Sequence, residues 1–121
     1  NANPGSVRAA IDMLAACPGQ RTLVLGAMRE LGPNSSTLHR EAGEYALAAG
    51  IDQLRGVGPE LEVCVNAFGA NGRYFVDRAA AVSALQGQFG EGDTVLVKGS
   101  RSAGMEQVLQ ALLPDLQAQE H

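Results

Sequence analysis

What the sequence lacks narrows its possible roles. It has two cysteines, Cys17 and Cys64, far apart and without a second cysteine or histidine at ligand spacing, so neither a zinc site nor a CxxC redox pair is available. Both are read as buried thiols of a protein kept in a reducing compartment. No apolar run approaches the roughly 20 residues that span a bilayer, and the amino end carries neither a basic segment nor an apolar signal core. The expectation is a cytoplasmic protein without a membrane span. An excess of one charge is missing too: nine Lys and Arg stand against thirteen Asp and Glu, a net charge of −4 with both signs interspersed. A nucleic-acid surface is not expected.

The common ligand motifs are also absent. There is no GxxxxGK[ST] phosphate loop, and Lys98-Gly99-Ser100 matches only its end. Gly56-Val57-Gly58 supplies two glycines of a dinucleotide fingerprint but has Leu61 where the third belongs, and Gly26 to Gly32 lacks the spacing altogether. These glycines read as turn residues. His39 lies inside a helix without a HExxH partner, so it is read as a surface or packing residue, and no Ser-His-Asp set can be assigned.

What is present is the pattern of one folded α/β domain. A chain of 121 residues, 45% apolar and 18% charged, is long enough for one core and too short for two. Asn3-Pro4 opens a helix through Val7, Ala10, Ile11 and Leu14, which Pro18-Gly19 ends. Thr22 to Leu25 is a short apolar run stopping at Gly26, as in a strand buried on both faces. Ser35 or Ser36 is placed to cap a second helix through Leu38, Ala42, Tyr45, Ala46 and Ala49, which Gly50 closes. Further strands are expected at Leu54–Gly58, Arg73–Val76 and Asp93–Lys98. Helices are expected after Pro59, after Asp77 as cap, and from about Ala103 to Leu113. Strands alternating with helices at this spacing predict a doubly wound, Rossmann-like, mostly parallel sheet with helices on both faces.

In such sheets ligands bind beyond the carboxyl ends of the strands, where Gly26–Gly32, Gly56–Pro59 and Lys98–Gly104 all fall. The last of these offers a cation, backbone amides, a hydroxyl and a guanidinium within four residues. Lys98, Ser100 and Arg101 therefore suit a carboxylate or phosphate. The competing reading is a solvated turn with a capping serine. Glu30 stands out among the acids because it lies in the first strand-end loop, although a lone exposed Glu is commonly only solvated.

Three segments, Asn1-Ala2-Asn3-Pro4-Gly5-Ser6, Leu25-Gly26-Ala27-Met28-Arg29-Glu30-Leu31-Gly32 and Val97-Lys98-Gly99-Ser100-Arg101-Ser102, resemble the carboxy-terminal domain of the Mur ligases in content, order and spacing. The resemblance spans essentially the whole chain and is strongest to the members that add D-alanyl-D-alanine to UDP-N-acetylmuramoyl-tripeptide. It implies a three-domain cytoplasmic enzyme of peptidoglycan synthesis, acting as a monomer. Its amino-terminal domain would bind the UDP-sugar peptide and its central domain ATP and Mg2+. Family members activate the peptide carboxylate as an acyl phosphate, which the incoming amine attacks. This chain would be the third domain, residues 1–121 with 1–6 a linker remnant, closing the site without catalytic residues or a metal of its own. Opening on Asn1 rather than Met fits an internal cut.

By the same resemblance Asn1 and Asn3 match the linker beside the adenosine, and Met28 and Glu30 the loop approaching the phosphates. Lys98, Ser100 and Arg101 match the loop facing the reaction centre and the dipeptide carboxylate. Ala27 departs from the pattern, which usually has an acid there. Other classes are a stand-alone nucleotide-binding or regulatory module of the same architecture, against which the missing phosphate loop counts, and a protein-interaction domain, for which no apolar surface run speaks.

Overall fold

The computed structural model describes residues 2–115; Asn1, expected at the nucleotide, lies outside the described residues, as do residues 116–121. The first helix, α1 (Pro4–Ala15), starts where sequence chemistry places it. Asn3 is extended at φ −138° and its side chain accepts the Ser6 amide at 2.9 Å, while Ser6 Oγ accepts the Asn3 amide at 3.0 Å. This reciprocal cap satisfies two backbone donors that the helix itself leaves unpaired. Val7, Ile11 and Leu14 form its buried face.

The strands β1 (Gln20–Gly26), β2 (Gln53–Val57), β3 (Gly72–Phe75) and β4 (Asp93–Lys98) make one parallel sheet in the order β3-β2-β1-β4. The helices α2 (Ser35–Ala48), α3 (Glu62–Phe68), α4 (Arg78–Leu85) and α5 (Met105–Leu112) connect or follow them. Alternation along β1 divides the core: Leu23 and Leu25 face a cluster with Ile11 of α1, Ala46 of α2 and Cys64 of α3, whereas Val24 faces Leu85 of α4 and Val108 of α5. The Rossmann-like expectation of helices on both faces holds.

Strand β4 is half-buried along its whole length because it pairs only with β1 and forms one of the sheet's two edges, although Val95-Leu96-Val97 is apolar. Asp77 caps α4 by accepting the Ala80 amide at 2.8 Å, as its position predicts. Two expectations are corrected. Neither Ser35 nor Ser36 caps α2, since a single 3-10 turn at Gly32–Asn34 leads into the helix and puts Asn34 at the cap without a side-chain bond. Cys17 is only half-buried, its thiol directed to the Met13 carbonyl at the end of α1, whereas Cys64 is buried and its thiol is pushed up to about 12 by burial.

The amino edge of the sheet is closed by one side chain. Arg21 donates to the Ala15 carbonyl at the end of α1, to the Gly50 carbonyl just past α2, and to Asp52 at 3.1 Å. A cation thus meets two helix carboxyl ends, where the carbonyls lack partners. The Arg21 backbone amide and guanidinium hold the Asp52 carboxyl below its usual range.

Helices α2 and α3 touch backbone to backbone. A β-carbon on Gly43 would lie 2.1 Å from the Cys64 carbonyl oxygen, and a peptide cannot swing aside as a side chain can. Gly43→Ala is therefore expected to force α2 and α3 apart and cost about 1–3 kcal/mol. Urea unfolding of the variant against the unaltered chain checks this, and equal midpoints would show that the helices separate freely.

Candidate functional site

Strand order reverses between β1 and β4: the chain moves outward through β2 and β3 and then crosses back to the far side of β1. At such a switch point the two carboxyl-end loops diverge to opposite faces and leave a crevice. Here those loops are the segments following Gly26 and Lys98.

The loops are held together first by backbone. A β-carbon on Gly99 would lie 3.2 Å from Gly26 Cα, and one on either glycine would run into Met105, within 2.6 Å of its Cγ on Gly99 and 2.5 Å on Gly26. Absence of side chains at both positions lets Met105 seal the base of the crevice. The Ser100 amide then donates to the Ala27 carbonyl at 2.9 Å, joining the two loops beyond the ladder. Ala27, where the family pattern has an acid, is 3% exposed. In this chain that position presents a buried methyl group and a carbonyl that accepts the Ser100 amide.

Side chains tie the rim. Arg29 donates from Nε to Ser102 Oγ at 2.9 Å and from Nη1 to Glu60 Oε2 at 3.0 Å, so one guanidinium spans the loops after β1, β2 and β4. Ser102 Oγ lies 3.2 Å from Ser100 Oγ, which extends the chain of polar contacts to the buried Ser100. Both ionic partners are partly exposed, so the pair orients the loops more than it stabilises them. Neither Arg29 nor Ser102 is singled out by sequence reasoning, because a guanidinium in a loop shows nothing of its partners until three loops are brought to one edge.

Lys98, Ser100 and Arg101 come together. With Gly99, Met105 and Glu106 they line an open recess of about 340 Å³ beside the start of α5. Among the described residues neither Lys98 nor Arg101 forms an ion pair, which leaves two cations against the single carboxylate of Glu106. Unpaired cations, a hydroxyl and the positive end of a helix in one recess suit an anionic group.

The remaining site residues are placed differently. Glu30 is exposed and stands in the left-handed region at φ 61°, unusual for a residue with a side chain. Met28, expected in the loop that approaches the nucleotide, is 2% exposed, its side chain belongs to the core, and its amide donates to His39 Nε2 at 3.1 Å. Asn3 spends its side-chain oxygen on the α1 cap. His39 is fully buried, a packing and not a surface residue, and its spacing from Ala42 and Ala46 on the apolar face of α2 is the signal for that. Among the described residues no cluster of acidic, His or Cys side chains could hold a metal ion, and no helix is long and apolar enough to cross a membrane.

A four-stranded parallel sheet in the order β3-β2-β1-β4, with helices on both faces and a recess at the β1/β4 switch, defines a Rossmann-like α/β domain. The chain belongs to the Mur ligase family: the profile described as "Mur ligase, glutamate ligase domain" matches residues 1–101. It is similar to the UDP-N-acetylmuramoyl-tripeptide--D-alanyl-D-alanine ligases of Escherichia coli, at 46% identity over 93% of this chain, and of Haemophilus influenzae, at 39% over 93%. In each case it spans 25% of the relative's length. Among solved structures it resembles MurF ligase from Thermotoga maritima in complex with ADP, at 30% identity and TM-score 0.80, covering 95% of this chain and 26% of that one. MurF from Acinetobacter baumannii is similar at 28% identity and TM-score 0.84, covering 94% and 26%.

The left-handed backbone at Glu30 carries a testable cost. Glycine adopts this conformation freely, so Glu30→Gly is expected to raise the stability of the chain by about 1 kcal/mol, the scale of the left-handed penalty. Chemical unfolding measures it; a loss of stability would mean that the Glu30 side chain makes contacts that outweigh the strain.

Proposed function

We propose that this chain is the carboxy-terminal domain of a cytoplasmic, monomeric ATP-dependent ligase that joins D-alanyl-D-alanine to UDP-N-acetylmuramoyl-tripeptide in peptidoglycan synthesis. The observation that carries the reading is the convergence of Lys98, Ser100 and Arg101 on one recess at the β1/β4 switch, in a chain 46% identical to an enzyme of that name.

In this reading the recess receives the carboxylate of the incoming dipeptide. Arg101 offers a bidentate pair of N–H donors, Lys98 a point charge, and Ser100 a hydroxyl oriented by Ser102. Fixing the carboxylate fixes the far end of the dipeptide and so aims its amine at the activated carboxyl group, converting a bimolecular encounter into a positioned one. Residues 1–6, the end of the linker in this reading, already run into the capped first turn of α1, and Asn1 and Asn3 would lie beside the adenosine. Met28 contributes through the backbone it anchors, and Glu30 from the exposed rim of the same loop. A bare carboxylate repels phosphates, so Glu30 would approach the nucleotide through its hydroxyls or a bound cation. ATP and Mg2+ belong mainly to the central domain, which supplies the phosphoryl chemistry, while the amino-terminal domain holds the UDP-sugar peptide. The third domain closes over both substrates.

The isolated chain is expected to hydrolyse no ATP, since it has neither a phosphate loop nor an assembled acceptor site. Steady phosphate release by the purified domain would overturn the division of labour. In the full-length enzyme Arg101→Ala is expected to raise the KM for D-alanyl-D-alanine by roughly thirtyfold, the equivalent of one charge-assisted bidentate contact of about 2 kcal/mol, with a smaller change for ATP. Steady-state kinetics with each substrate varied in turn decides it; an unchanged dipeptide KM removes Arg101 from the site.

A further inference from the structure

Beneath the exposed rim of the β1 loop lies a group that the proposed function does not use. His39 has no exposed surface, yet both ring nitrogens are engaged. Nδ1 lies 2.8 Å from the Ser35 carbonyl oxygen, with Ser35 Oγ at 3.3 Å, and Nε2 lies 3.1 Å from the Met28 amide. A carbonyl only accepts and an amide only donates, so the ring is neutral, with its proton on Nδ1 and a lone pair on Nε2. On the buried face of α2 His39 is followed by Ala42 and Ala46 of the core, so a polar ring is placed there at the cost of its burial. What histidine adds is an acceptor for a backbone donor that has left the sheet and has no strand to pair with.

Immediately beyond the pinned amide the loop takes its unusual course. Arg29 turns to Glu60 and Ser102, Glu30 adopts φ 61°, and Gly32 follows at φ 62°. A left-handed residue with a side chain persists only where its surroundings over-determine the backbone. The Ala27 carbonyl already ties the start of the loop to the Ser100 amide, and beyond it the loop is anchored by the His39 acceptor below and the Arg29 guanidinium above.

We propose that His39 is a positioning residue of the site: through its bond to the Met28 amide it sets the β1 loop against the β4 loop, holding Glu30 and Arg29 where the substrate-facing edge requires them. The inference rests on the reading that these loops form the edge of the ligase site. His39 acts through Met28 and touches no substrate.

Two similar amides separate the two nitrogens. The side-chain oxygen of glutamine reaches the place of Nε2, whereas asparagine reaches only that of Nδ1. In this chain, amide hydrogen exchange followed by NMR is expected to be about tenfold or more faster at Met28 and Glu30 in His39→Asn and close to the unaltered rate in His39→Gln, with the β1 core amide of Val24 little changed in both. Equal rates at Met28 in the asparagine variant, or equal acceleration of Met28 and Val24, would overturn the proposal, the second because it reports general loosening. In the full-length enzyme, His39→Asn is expected to raise the KM for D-alanyl-D-alanine on the order of tenfold, with His39→Gln restoring it. Faster exchange with unchanged kinetics would overturn the positioning role. Absence of ligation by the unaltered full-length protein would instead overturn the ligase reading, and the exchange experiment would still decide whether His39 sets the loop.

Discussion

The approach of Gly26 to Gly99 is the contact on which the rest of this domain depends. It lets the ends of β1 and β4 meet without intervening side chains, so that Met105 closes the floor and the Ser100 amide reaches the Ala27 carbonyl. Once the two loops are joined in this way, Arg29 is within reach of Ser102, and Lys98, Ser100 and Arg101 face one recess. A single methyl group at either glycine would have to displace Met105, a flexible side chain, but one that also packs in the core between β1, β4 and α5.

The two edges of the sheet divide the work of the domain. At the amino edge the Arg21 guanidinium is committed to the ends of α1 and α2 and to Asp52. At the carboxyl edge Lys98 and Arg101 stand without an ion pair among the described residues. At the same edge Arg29 is spent on Glu60 and Ser102, while Lys98 and Arg101 are the cations that the proposed function assigns to the incoming carboxylate. The buried His39 belongs to neither group: it is a polar residue spent on the backbone of a loop whose course the apolar core alone would not dictate.

Much of the fold was legible because its signals are local. Asn3 with Ser6, Asp77 with Ala80, and the apolar run ending at Gly26 each act within a few residues, and each element stands where its chemistry places it. The cap expected at Ser35 or Ser36 failed for the same kind of reason in reverse. Gly32, Pro33 and Asn34 form a turn of their own, so α2 begins already wound and needs no side-chain cap. Glu30 and Met28 adjoin the same exposed residue in the sequence, yet one is exposed and strained and the other buried.

By itself the sequence determined the alternation of strands and helices, the strand-end location of its polar glycine-rich segments and, through three spaced motifs, the family. These depend on short-range periodicity and on residue order. Only the tertiary structure decided which strands became the edges, that Met28 faces the core, that Arg29 links three loops, and that His39 is the acceptor for an amide eleven residues away. Each of these is a relation between segments distant along the chain. Close packing and the obligation to pair buried backbone groups select such relations only when the sheet has assembled.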